Sequence, residues 1–122
     1  VIVAFGTNDI VSGKYGGKKS TAEEIEGCLD TIVSYLTEKG CDVILFNAPP
    51  QDFKETNEGI RTALNEKIPA IAEKYEAKFF DFSALLSTEA EPEKAVYGGH
   101  PNGEGGTVVA DAFVKQFGSI FE

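Results

Sequence analysis

The chain has no methionine, one histidine and two cysteines, and none of its apolar runs approaches the length that crosses a bilayer. The missing methionine, together with a first residue that already lies inside an apolar run, implies an internal or C-terminal piece of a longer protein. A signal peptide therefore cannot be assessed. Without a spanning segment, no membrane partner is expected. Basic residues are scarce: 11 Lys and Arg stand against 20 Asp and Glu, a net charge of −9, which disfavours nucleic acid and anionic membrane surfaces. Cys28 falls in a predicted helix and Cys41 at a predicted strand start, so both read as buried free thiols. One histidine and two distant cysteines make no zinc set. No metal or other cofactor is expected. Repeats and low-complexity tracts are also lacking, and 122 residues suit one domain, residues 1–122, with a real core.

What is present is an alternation of buried strands and amphipathic helices. Val1 to Phe5 is an apolar, β-branched run that reads as a fully buried strand. Gly6 ends it, since a residue without Cβ permits a tight turn, and Asn8 and Asp9 follow at the strand's C-terminal edge. In open α/β sheets that edge is where ligands bind. Residues from Ile10 to Lys19 form a polar, glycine-rich loop. It is not a phosphate-binding loop: counted from Gly13, Lys18 stands where the second glycine is required. Ser20-Thr21-Ala22-Glu23 reads as a capping box opening a helix to about Lys39. That helix carries Ile25, Cys28, Leu29, Ile32, Val33 and Leu36 on one face and is stopped by Gly40.

Asp42 to Asn47 is a second strand, buried on both faces, and Ala48-Pro49-Pro50 breaks it on the same edge as Asn8. A second helix from about Thr56 buries Ile60, Leu64, Ile68, Ile71 and Tyr75, with a kink or restart expected at Pro69. Ala77 to Phe82 is a third strand. Ser83 to Glu93 is a loop with one short helical turn at Ala84-Leu85-Leu86. The last helix starts near Gly103 behind an Asn102 cap and runs to the end, with Val108, Val109, Ala112, Phe113 and Phe117 as its apolar stripe. This order implies an α/β fold with a parallel sheet and right-handed crossovers. Its first strand has one open edge, through which two copies could form a homodimer.

Two short motifs carry the functional signal. Gly6-Thr7-Asn8-Asp9 follows the first strand, and Gly99-His100-Pro101-Asn102, with Gly105 beyond it, precedes the last helix. Taken separately, the first is a common turn and the second a common loop. Taken together, in this order and on these elements, they resemble the SGNH hydrolase superfamily, the GDSL-type esterases and lipases. Asn65-Glu66-Lys67-Ile68 is also similar to many members. The resemblance covers the whole chain, from the family's third block to its C-terminus. It implies a three-layer α/β/α, flavodoxin-like domain of which these residues supply only the last three strands and their helices.

The resemblance also implies a chemistry. A serine hydroxyl attacks an ester carbonyl, His100 takes its proton as general base, and His100 then protonates the departing alkoxide. The Asn8 side-chain amide is one donor of the oxyanion hole, a contribution of about 3–4 kcal/mol in comparable enzymes. Gly6 lets the backbone turn so that Asn8 faces the site, and Asp9 holds the loop. Two departures stand out. The nucleophile and glycine blocks of the family would lie before Val1. The acid expected three residues before the histidine is Tyr97, which cannot hold the imidazole tautomer as a carboxylate does. A main-chain carbonyl is the preferred substitute; Glu91, Glu93 and Glu104 are the other candidates. Ser12, Ser20, Ser34, Ser83, Ser87 and Ser119 lack a nucleophile elbow, and Thr7 has no base in sequence reach. The expected function is a serine esterase acting on small-molecule acyl esters, carbohydrate O-acetyl esters first, with this chain inert on its own. The other reading is a non-catalytic α/β module that binds a ligand or a protein.

Overall fold

The strand that the rest packs around is β2, Ile44–Phe46, every residue of which is buried. It lies between β1, Ile2–Val3, and β3, Lys78–Phe80, in a parallel sheet of order β1-β2-β3. Ile2 pairs with Ile44 and Val3 with Leu45; Ile44, Leu45 and Phe46 pair with Lys78, Phe79 and Phe80. This is a computed structural model that describes residues 1–11, 20–51, 57–87 and 100–122, and the backbone of 95–96.

Alternation along the strands sends successive side chains to opposite faces, and each face has its own cover. Val3, Val43 and Leu45 point into a core with Ile25, Leu29 and Val33 of α2, Ala22–Glu38, and Leu64, Ile68 and Ile71 of α3, Glu58–Lys74. Burying each such Leu, Ile or Val contributes roughly 1.5–3 kcal/mol. Ile44, Phe46 and Phe80 point the other way, onto α4, Gly103–Phe117. There Phe46, Phe80, Phe113 and Phe117 form an aromatic cluster with ring centroids 4.7–6.0 Å apart. Tilted and edge-on pairs of this kind add about 0.5–1.5 kcal/mol each beyond area burial. The result is the three-layer α/β/α arrangement the sequence implied, with α2 and α3 on one face and α4 on the other.

Local chemistry sets the helix ends. The capping box is one residue later than expected. Thr21 Oγ1 accepts from Glu24 N at 3.1 Å, and Thr21 N donates to Glu24 Oε2 at 3.0 Å. Ser20-x-x-Glu23 and Thr21-x-x-Glu24 both fit the pattern, and the second leaves Ala22, a better helix former than Thr, at the first helical position. Gly40 follows α2 at φ 78°. Asn57 caps α3 by accepting from Ile60 N, and Asn102 caps α4 by accepting from Gly105 N. Pro69 neither ends nor restarts α3, which is continuous from Glu58 to Lys74. The proline sits at an exposed position, where loss of one amide costs least. Between the helices, Asp30 accepts from Lys74 Nζ at 2.8 Å and from the Tyr75 hydroxyl at 2.9 Å, and Lys67 pairs with Glu26 at 3.0 Å.

Other expectations are corrected. The first strand is not fully buried: Val3 is 1% exposed, but Val1, Ile2 and Phe5 are 58%, 52% and 61% exposed. Its ladder extends only over Ile2–Val3, and α4 covers β2 and β3, leaving Ile2 uncovered among the described residues. Cys28 is exposed and Cys41 half-buried, both free. The buried stripe of α2 is narrow, running through Ile25, Leu29 and Val33, and Cys28 lies on its margin. The loop after β3 begins with a 3₁₀ turn, Ser83–Leu85, and is followed by two strands the sequence did not reveal, β4 (Leu86–Ser87) and β5 (Ala95–Val96), which pair in parallel. A second 3₁₀ turn, Gly118–Phe121, ends the chain's last helical stretch. The glycine-rich loop expected before α2 falls outside the described residues over 12–19.

Candidate active site

Leaving β1, the chain turns at Gly6, whose φ is 100° and ψ −17°. A Cβ here would stand 3.0 Å from Ile25 Cγ2 and 3.4 Å from Leu64 Cδ2, so conformation and space both ask for glycine. Gly6 caps a single helical turn, α1, Thr7–Ile10; Ile10 N donates to Gly6 O at 3.3 Å. Ile10 is buried and anchors the turn, while Asn8 and Asp9 are exposed on its outer side. A further bond, from Asn57 N to Ile10 O at 3.2 Å, ties α1 to the start of α3.

His100 occupies an exposed bend two residues before the Asn102 cap of α4. The direction of α4 follows from its contacts. Val108, in its first half, packs against Leu86, which lies beyond the C-terminal end of β3. Its late residue Gln116 donates to Phe79 O at 3.0 Å, and Phe117 packs on Phe80, both within β3. The helix therefore runs against the strands, and its N-terminus, with His100, lies at the sheet's C-terminal edge. Asn8 emerges from the end of β1 at that same edge. The two arrive from different layers, since α1 packs against α3 while His100 leads into α4. Neither side chain makes a hydrogen bond among the described residues. Tyr97 lies outside the described residues, as do Glu91 and Glu93. Glu104 is exposed in the first turn of α4.

The edge is braced by a polar network that the sequence reading missed. Asn47, buried at the end of β2, donates to Asp81 Oδ1 at 2.8 Å and accepts from Ser83 N at 2.8 Å. Asp81 Oδ1 also accepts from Ala84 N at 3.1 Å. Asn65 grips Ala48 twice, accepting from its N–H at 2.9 Å and donating to its carbonyl at 2.8 Å. Arg61 donates to Ser83 Oγ at 3.1 Å and pairs with Glu58 at 2.7 Å. The signals in the sequence were Arg61 and Asn65, one turn apart beside the apolar stripe of the helix, and the Asn65-Glu66-Lys67-Ile68 stretch.

Beside Asp9 lies an open cavity of about 510 Å³ with an apolar floor of Phe5, Ile25 and Ile32 and polar groups from Asp9, Ser20 and Glu24 at its border. A second apolar groove runs along β1 between Val1, Ile2 and Phe5 on one side and Ile32, Tyr35 and Leu36 on the other. Among the described residues no three His, Cys, Asp or Glu side chains gather as a metal site, and no helix is long and apolar enough to cross a membrane.

Two solved structures share this architecture. A chain from Parabacteroides merdae described as a GDSL-like lipase superposes with a TM-score of 0.73 at 18% identity; the match covers 96% of this chain and 59% of that one. A GDSL-like lipase from Bacteroides thetaiotaomicron gives a TM-score of 0.70 at 20% identity, covering 98% of this chain and 62% of the other. The chain thus spans about three-fifths of the length of each. No curated protein matches it. The sequence profile of the GDSL-like lipase/acylhydrolase family matches residues 1–108, a stretch that holds both the Asn8 turn and the His100 bend. On that match, and on a fold shared with two of its solved representatives, the chain belongs to the GDSL-like lipase/acylhydrolase family.

Proposed function

We propose that the whole protein is a serine esterase that hydrolyses small acyl esters, O-acetylated carbohydrate foremost among them. His100 is its general base and Asn8 one donor of its oxyanion hole. The observation that carries this reading is the arrival of Asn8 and His100, 92 positions apart, at one edge of a parallel sheet in a chain of this family. Serine attacks the ester carbonyl as His100 accepts the hydroxyl proton; collapse of the tetrahedral adduct expels the alkoxide, which His100 protonates. Water, deprotonated in turn by His100, then releases the acid. The Asn8 carboxamide donates to the oxyanion, Gly6 sets the turn that presents it, and Asp9 steadies that turn. With Tyr97 in the acid's position, a main-chain carbonyl orients the imidazole.

The nucleophile in this reading comes from outside these 122 residues, and the flank of β1 that no described strand occupies is where its strand would pair. The 122-residue chain alone is accordingly inert, and its open flank favours pairing with a second copy. Hydrolysis of p-nitrophenyl acetate by a longer polypeptide that includes the nucleophile segment tests the assignment. His100→Ala lowers kcat at least about a thousandfold, and Asn8→Ala lowers it about a hundredfold to a thousandfold. Full activity in either variant removes that residue from the mechanism. A longer polypeptide without hydrolysis that binds a ligand or protein through the same edge favours the binding-module reading. Sedimentation of the chain as a monomer at high concentration excludes the pairing.

A further inference from the structure

Helix α3 touches the segment that follows each of the three strands. Asn57 N donates to Ile10 O at the end of the turn after β1. Asn65 makes its paired bonds with the backbone of Ala48, which follows β2. Arg61 donates to Ser83 Oγ in the 3₁₀ turn after β3. Arg61 and Asn65 are four apart and share one helix face, and Asn57, the residue that caps the helix, adds its backbone N–H just before the first turn. The same stretch supplies Leu64, fully buried and placed against Gly6. Asn47 ties the second and third segments together from the sheet side, through Asp81 and Ser83 N.

We propose that this face of α3 is the positioning element of the site: it sets the relative height of the three strand-end segments, and Asn65 is the residue on which that setting turns. A side chain that bonds both the N–H and the C=O of one residue fixes the two peptide groups on either side of its Cα. Asn65 treats Ala48 in this way, using a carboxamide donor and acceptor where a neighbouring strand would use a peptide. Arg61 extends the same helix face to the β3 turn, from which the chain leads by way of β4 and β5 to His100. Neither residue touches the reacting atoms. Their effect is geometric, and small displacements at a site of this kind can cost up to about a hundredfold in rate. The catalytic consequence rests on the esterase reading; the mechanical coupling does not.

The test compares Asn65→Ala with Ile68→Val, which removes buried volume from the same helix and leaves the hydrogen bonds of Asn57, Arg61 and Asn65 in place. Asn65→Asp serves as a second variant that keeps the acceptor for Ala48 N–H and loses the donor. In native-state hydrogen exchange on the 122-residue chain, Asn65→Ala accelerates the amides of Ile10, Ala48 and Leu85 together by about tenfold at matched global stability, the factor that one hydrogen bond of ordinary strength gives. Ile68→Val changes them only through global unfolding. Acceleration at Ala48 alone shows that the three segments are independent and overturns the proposal. On the longer polypeptide, Asn65→Ala lowers kcat for p-nitrophenyl acetate about tenfold to a hundredfold with KM nearly unchanged, and Ile68→Val leaves both near the parent values. Equal losses in the two variants make Asn65 merely structural and also overturn it. A parent polypeptide without hydrolysis refutes the esterase reading, and the exchange measurement then decides the coupling alone.

Discussion

Replacing Gly6 by alanine isolates the demand that the turn after β1 places on the sequence. Two terms oppose the substitution. An L residue at φ 100° carries a conformational cost of about 1–2 kcal/mol. The new Cβ would also meet Ile25 Cγ2 at 3.0 Å and Leu64 Cδ2 at 3.4 Å, and both neighbours are buried, at 4% and 0% exposed. Neither can swing into solvent, so the overpacking term is about 1–3 kcal/mol. Against these, alanine lowers the entropy of the unfolded chain by about 0.4–1 kcal/mol in its favour. The net is a loss of about 1–4.5 kcal/mol, centred near 3, or roughly 12 °C in Tm at the centre for a domain of this size.

Two other glycines separate the terms. Gly40 has φ 78° with nothing within 4 Å of its ideal Cβ, so Gly40→Ala carries only the conformational cost, about 1 kcal/mol. Gly27 lies inside α2 with equally open surroundings, and Gly27→Ala stabilises by about 0.5–1 kcal/mol. Urea unfolding of the three variants, monitored by circular dichroism, gives the series. A Gly6→Ala loss no larger than that of Gly40→Ala would show that the Ile25 and Leu64 contacts yield freely, and the packing argument for this turn would be wrong.

The remaining predictions concern charge and thiols. Hydrogen bonds from Lys74 and from Tyr75 hold the Asp30 carboxyl below its ordinary value of 3.8. The folded state therefore gains stability from this group above that value and loses it as pH falls through the lowered one. Asp30→Asn flattens the dependence of Tm on pH in the range from about 4 downward; an unchanged slope there refutes the assignment. Cys28 is exposed and Cys41 half-buried, so in the native chain a disulfide-exchange reagent titrates Cys28 first, and Cys28→Ser removes the fast phase. A single phase carried by Cys41 contradicts the placement of α2.

Some features could be read from the residues because their signals are local. Ile25, Leu29 and Val33 repeat at four-residue spacing with a capping pattern before them and Gly40 behind, which is why α2 was legible nearly to the residue. Asn102 and the stripe through Val109 and Phe117 served α4 equally well. The Gly6 and His100 motifs were short, but each sits at an element boundary that the periodicity had already located. What could not be read depended on neighbours. An apolar run such as Val1 to Phe5 looks the same whether one flank or both are covered, and the exposure of Ile2 follows from where α4 ends up. The strands β4 and β5 are two residues each, too short for any alternation to register. The grip of Asn65 on Ala48 spans 17 positions, and side-chain bonds to a distant backbone leave no pattern in either segment. The Ser20 and Thr21 caps were alternatives of equal pattern, decided only by where the helix begins.

The two sides of the sheet are fastened by different means. On one, α2 and α3 interlock through a continuous aliphatic core, with Asp30, Lys74, Glu26 and Lys67 fastened across them. On the other, α4 rests on a patch of phenyl rings, with Gln116 to Phe79 O as a described cross-bond. Opening a cluster of rings along one face disturbs few of the bonds that hold the opposite layer together. His100 thus belongs to a layer that can release by itself, and partial denaturation would separate it from Asn8 while most of the secondary structure persists.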